Sequence, residues 1–159
     1  MAARPLSLSR RVIAVLVGGF CGTITRYLLS LLIQSYLGKG WPYDILLINI
    51  TGALLLSFIT TLADASFLIG PTRRLVMNVG FLGAYTTFSS LALGDVLLFA
   101  NGNWLPALLY LFFSIAGGVF AVLLGDWFGQ WCLKRAKIAG KIAVTHASHE
   151  MAEEESLGV

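Results

Sequence analysis

The chain has 159 residues, 57% of them hydrophobic and only 12% charged. Ordinary soluble domains carry about 25% charged residues, so a soluble globular fold is excluded as the default and a membrane protein takes its place. The net charge is +3, but the basic residues flank apolar runs, so topology accounts for them better than nucleic-acid binding does.

Four apolar runs cover residues 12–37, 45–62, 75–99 and 104–124. Each is near the ~20 residues that carry a helix through a hydrocarbon core of ~30 Å. The sequence therefore predicts an all-α membrane protein with four transmembrane helices in one domain, 12–133. A short basic segment, 1–11, precedes it. A polar tail, 134–159, follows, basic first and then acidic, and is expected to be disordered in its last part. Segment 1–11 looks like the start of a signal peptide, yet the run behind it is too long for a cleaved one and is taken as a retained helix. Four helices cannot enclose a wide pore, so transport would require an oligomer.

In the first run Gly18, Gly22 and Arg26 recur every four residues and share a face. Small residues at that spacing admit a close helix neighbour. Arg26 is the one cation inside the four runs. It either snorkels to an interface or faces an aqueous cavity, and the cost of burying a charge favours the cavity. Gly38 to Pro42 forms a turn, with Trp41 and Tyr43 at headgroup level. In the second run Asn49 stands out, because an amide in hydrocarbon is costly unless bonded. Taken alone, it reads as interhelical glue; the sharper reading is a donor for a permeating species. A loop over 64–74 uses Gly70-Pro71 as turn chemistry.

The third run holds Gly80-Phe81-Leu82-Gly83-Ala84-Tyr85-Thr86-Thr87-Phe88-Ser89-Ser90. An anchor needs no such mixture of glycine and hydroxyl residues. It predicts a broken helix whose freed backbone and hydroxyl groups face something polar, the break running from Gly83 to Thr86. Asn101-Gly102-Asn103 is the next turn. In the fourth run Tyr110, Ser114 and Gly118 again recur every four residues.

Cys21 and Cys132 are expected to be packing residues, since membrane depth argues against pairing. No zinc-protease, paired-cysteine or phosphate-loop motif is present. The histidines, His146 and His149, both fall in the tail. An enzyme is not expected. Asp44 is expected at an interface and Asp95 and Asp126 near helix ends, so no carboxylate is predicted at mid-membrane, which counts against proton coupling. Arg4, Arg10, Arg11, Arg73, Arg74, Lys134, Arg135, Lys137 and Lys141 collect on one side, against Lys39 on the other. The positive-inside rule then puts the termini in the cytoplasm, with the chain in the inner (plasma) membrane.

In this order these segments resemble the CrcB/Fluc family of fluoride ion channels. The resemblance rests on Gly18-Gly19, Gly22 and Arg26-Tyr27, then Asn49-Ile50-Thr51-Gly52. It is most specific at Gly80-Phe81-Leu82-Gly83 with Thr86-Thr87-Phe88-Ser89, and is completed by Tyr110 and Ser114. It implies an antiparallel dual-topology-type dimer with two narrow pores. It also implies a central sodium ion held by the backbone carbonyls of Gly83 and Thr86. The fluoride path it implies involves Asn49, Phe88, Ser89, Ser90, Tyr110, Ser114 and Arg26. Hydroxyl and amide donors replace water around the anion, the Phe88 ring edge offers positive quadrupole character, and Arg26 raises local anion concentration.

The chain departs from the family pattern at four places. Leu91 stands where a second phenylalanine is expected. Asp44-Ile45 replaces a Gly-Thr pair. Gly118 replaces a hydroxyl residue. The acidic residue expected after the third-helix motif is shifted, as Asp95 behind Gly94. The strong charge bias leaves two assemblies open, a homodimer or a heterodimer with an oppositely oriented homologue. A non-conducting or partner-dependent subunit is the rival that Leu91 suggests. A small multidrug transporter would need a carboxylate in the first helix, and residues 12–37 hold none.

Overall fold

The computed structural model describes residues 7–65 and 70–157, with side chains described for 7–64 and 70–138. The first six residues of the expected N-terminal segment and the middle of the 64–74 loop lie outside them. Among the described residues every regular element is a helix: α1 (Leu8–Leu37), α2 (Tyr43–Ala65), α3 (Pro71–Arg74), a π-helical segment (Leu75–Leu82), α4 (Gly83–Tyr85), α5 (Phe88–Ala100) and α6 (Trp104–Leu157). Together α3 to α5 make a single span, so four stretches are long and apolar enough to cross a membrane: Leu8–Leu37, Tyr43–Asp64, Pro71–Ala100 and Trp104–Ile138. Large apolar side chains are exposed on all four, with Phe20, Phe88 and Leu123 each above 60% and Leu47 of the second span at 41%. Such a surface suits lipid and not water.

Two short links use glycine where the backbone turns left-handed, Gly38 at φ 78° and Gly102 at φ 76°. L side chains avoid that region and glycine does not. The Gly38 amide also closes α1 by donating to the Gln34 carbonyl at 3.0 Å.

The backbones of α1 and the π segment are in direct contact. A Cβ placed on Gly18 would lie 2.2 Å from the Val76 carbonyl oxygen, and one on Gly22 would lie 2.2 Å from that of Phe81. Only glycine lets the two backbones meet this closely. Two of the three residues expected on one face of α1 thus serve packing; Arg26 lies farther along and is half-buried. The α2–α6 contact is polar at intervals: Ser57 donates to the Val122 carbonyl at 2.8 Å and Thr61 to Asp126 at 2.7 Å.

One expectation needs correction, the place of Asp126. Helix continues past residue 134 to Leu157, through a stretch rich in the strong helix formers Ala, Lys and Glu. Asp126 therefore lies inside a helix, where Gln130 also bonds it at 2.7 Å. Asp44 is the second residue of α2, at the end of the span where an interface was expected. It is 5% exposed at the start of α2, where Ser30 and Gln34 of α1 both donate to its carboxylate. A carboxylate at a helix N-terminus is also favoured by the macrodipole.

Candidate functional site

The backbone of the third span leaves the helical region at two consecutive residues. Thr86 has φ −79°, ψ 155° and Thr87 has φ −152°, ψ 119°. Gly83, where the sequence placed the start of the irregularity, is helical at φ −63°, ψ −31°. The reason lies in the side chains: paired β-branched residues favour extended backbone, and their hydroxyls offer the chain alternatives to helical bonds. The glycine of this span that serves close packing is Gly80, against Val15 and Gly18 of α1.

Asn49 of α2 answers the irregularity with both ends of its amide. Its Nδ2 donates to the Thr87 carbonyl at 2.9 Å, and its Oδ1 accepts from the Thr87 N–H at 2.8 Å. The pair imitates one rung of a β-ladder inside a helical protein. Thr87 in turn caps α5, its hydroxyl accepting from the Ser90 N–H at 3.2 Å. In an unbroken helix the Thr87 N–H would serve the Gly83 carbonyl and the Ser90 N–H would serve the Thr86 carbonyl. Both amides are directed elsewhere, so the two carbonyls expected to hold sodium are the ones deprived of their helical donors. Oxygen acceptors of this kind suit a hard cation.

The start of α5 gathers hydroxyls. Thr87 Oγ1 lies 3.1 Å from both Ser89 Oγ and Ser90 Oγ. Phe88 stands away from its own chain at 80% exposure. Below it, Leu91 packs on a core of Leu98, Ala107 and Tyr110. Tyr110 is fully buried and Ser114, one turn on, is 8% exposed. Neither hydroxyl has a hydrogen-bond partner among the described residues; Asp95 Oδ1 and Asn78 Oδ1 are likewise buried and unmatched. Trp41 closes this corner, its ring edge-on to Tyr110 at 5.4 Å and its indole N–H on the Pro106 carbonyl at 3.1 Å.

The structure thus joins Asn49 to Thr87, Ser89 and Ser90, and joins Tyr110 to Leu91. Arg26 makes no hydrogen bond or ion pair among the described residues. Gly118 faces open space, so the fourth-helix stripe is Tyr110 and Ser114 without it. Sequence reasoning missed two contributors. Thr87 is the residue Asn49 grips, and its signal was the serine three positions later, an N-cap spacing. Tyr85 is 6% exposed, its hydroxyl 3.0 Å from Thr51 Oγ1 and its ring stacked on Phe81.

Residues 13–126 match the family model described as CrcB-like protein, Camphor Resistance (CrcB). The chain belongs to this family. Among its relatives is the fluoride-specific ion channel FluC of Trichormus variabilis, 42% identical over 126 residues, or 79% of this chain and 92% of the relative. FluC of Chlorobium chlorochromatii is 38% identical over 120 residues, 76% and 92% of the two chains. FluC of Chloroflexus aurantiacus is 34% identical over 120 residues, 76% and 95% of the two chains. The resemblance carried by the four motifs is therefore borne out. The CrcB match ends at Asp126, so most of the extension that continues α6 to Leu157 lies beyond the family's shared part.

Proposed function

We propose that this CrcB-family chain forms a fluoride-specific ion channel that lets cytoplasmic fluoride leave passively and so lowers its toxicity. The observation that carries the reading is the pair of buried hydroxyls, Tyr110 and Ser114, one helical turn apart and without acceptors. An O–H group sealed at membrane depth without a partner is costly. An anion that passes along it supplies the acceptor. Fluoride is small and strongly hydrated, so its path must replace several hydrogen bonds at once. Ser89 and Ser90 at the N-terminal end of α5, where the helix carries partial positive charge, supply more. The second amide hydrogen of Asn49 is a further donor. Arg26, half-buried and uncommitted, draws anions toward the entrance.

In this reading two chains pack antiparallel and the break in the third span lies at their centre. Phe88, exposed on one chain, is covered there, and its ring edge faces the anion. Sodium bound by the Gly83 and Thr86 carbonyls would supply a fixed positive centre that locks the two interruptions together. The termini lie in the cytoplasm and the membrane is the inner (plasma) membrane. The partner is either a second copy or an oppositely oriented homologue.

Purified chain in fluoride-loaded liposomes tests the proposal with an ion-selective electrode. Fluoride efflux is expected, chloride efflux is not, and Tyr110→Phe with Ser114→Ala should cut the fluoride rate at least tenfold without lowering thermal stability. No fluoride efflux from the chain, either alone or with an oppositely oriented homologue, would falsify the reading.

A further inference from the structure

Two cavities on the outside of α1 meet and form one furrow. The first, about 440 Å³, is lined by Arg10, Ile13, Ala14, Val17, Thr72 and Val76. The second, about 310 Å³, shares Val17 and Val76 with it and runs on past Cys21 and Met77, with Leu55 and Ile59 of α2 forming its far wall. The furrow is polar only at its outer end. There Arg10 of α1 and Thr72 of α3 line the same cavity; beyond them the lining is apolar.

Arg10 is uncommitted, with no hydrogen bond or ion pair among the described residues, whereas Arg74 nearby in sequence to Thr72 is held by Asp64 at 2.6 Å. From Arg10 to Cys21 the helix rises about 16 Å at 1.5 Å per residue. That is about half of a hydrocarbon core of ~30 Å, the depth of one leaflet. A cation at the surface, a hydroxyl beside it and an apolar channel one leaflet deep match one class of molecule in charge and in length.

We propose that this furrow binds one anionic phospholipid. Its phosphate sits on the Arg10 guanidinium, which can offer two parallel N–H donors, with the Thr72 hydroxyl beside it. One acyl chain lies along Ile13, Val17 and Met77. The lipid fills the space beside the glycine contact of α1 with the third span and belongs to the leaflet at the arginine-rich end. Basic pockets between transmembrane helices on that side are suited to anionic headgroups. The proposal does not depend on what the channel conducts.

Native mass spectrometry of the full chain tests it, after reconstitution in vesicles of phosphatidylcholine with phosphatidylglycerol as the minor component. Phosphatidylglycerol should be retained preferentially, one per chain. Arg10→Gln should reduce that preference about fivefold, the equivalent of about 1 kcal/mol for one basic residue at the surface, and Arg10→Lys should restore most of it. Val17→Trp should remove the retained lipid of either kind. Equal retention of both lipids, or an unchanged preference in Arg10→Gln, overturns the proposal. So does a Val17→Trp chain that keeps its lipid but loses self-association, because the furrow is then the seat of a second copy.

Discussion

The third span is built differently on its two sides of Thr87. Before it, the π segment lies on α1 with Gly18, Gly22 and Gly80 in the contact, so close that the neighbours of a would-be Cβ are backbone atoms. After it, α5 turns Leu91 and Leu98 inward and leaves Phe88, Leu93 and Val96 at 60% exposure or more. The first arm is fixed to its own chain. The second is committed on one face and unoccupied on the other. An interruption between a fixed arm and a free one can hold polar groups at a set depth, because the fixed arm bears the cost of the irregular backbone. The contrast between them can be broken from either side.

The largest effect is expected from the fixed arm. In Gly22→Val the new Cβ would meet the Phe81 carbonyl oxygen at 2.2 Å. Backbone cannot give way as a side-chain tip can, so the cost should be at least the ~3 kcal/mol at the upper end for overpacked cores. The chain should be lost from the monodisperse peak in size-exclusion chromatography, with no fluoride efflux from what remains. A well-folded Gly22→Val protein would mean that the two arms are equally free.

A smaller but more selective effect is expected at the junction. Asn49→Ala removes two hydrogen bonds at about 1 kcal/mol each and strands the Thr87 N–H, for roughly 2–4 kcal/mol in all. The chain should still fold, with a thermal midpoint several degrees lower, while fluoride efflux falls more than tenfold because the irregular turn loses its register. Equal losses in Gly22→Val and Asn49→Ala would show that the junction is ordinary packing.

How far this division was legible in the sequence depends on the kind of interaction. The four spans were visible because length and apolarity are properties of a run. Gly18 and Gly22 were visible because their spacing places them on one face. The location of the interruption was legible only to within a few residues: glycine drew attention to Gly83, whereas the extended pair is Thr86–Thr87. The deciding partner, Asn49, is 38 residues away from Thr87, and no local pattern announces it. The partners of Asp44 were hidden for the same reason: its donors, Ser30 and Gln34, come from the preceding helix. The fourth run was read as ending near residue 124, whereas α6 continues to Leu157, because apolarity stops well before helix propensity does.

The smallest effect is expected at the position where this chain parts from the family pattern. Leu91 is the residue that a second phenylalanine would occupy, and its absence suggested a subunit unable to conduct by itself. The structure gives Leu91 another task, as packing against Leu98, Ala107 and Tyr110 within its own chain. Leu91→Phe adds volume to that contact and should cost roughly 1 kcal/mol, at the low end for an overpacked core, visible as a thermal midpoint a few degrees lower. Fluoride efflux should change less than twofold, because a ring placed here meets the side of Tyr110 that is already packed, while the Tyr110 hydroxyl stays where it is. If efflux instead rose manyfold, the inward face of α5 would belong to the anion path as well. The free arm would then work on both faces, and Leu91 would mark a chain adapted to borrow its missing ring from a partner.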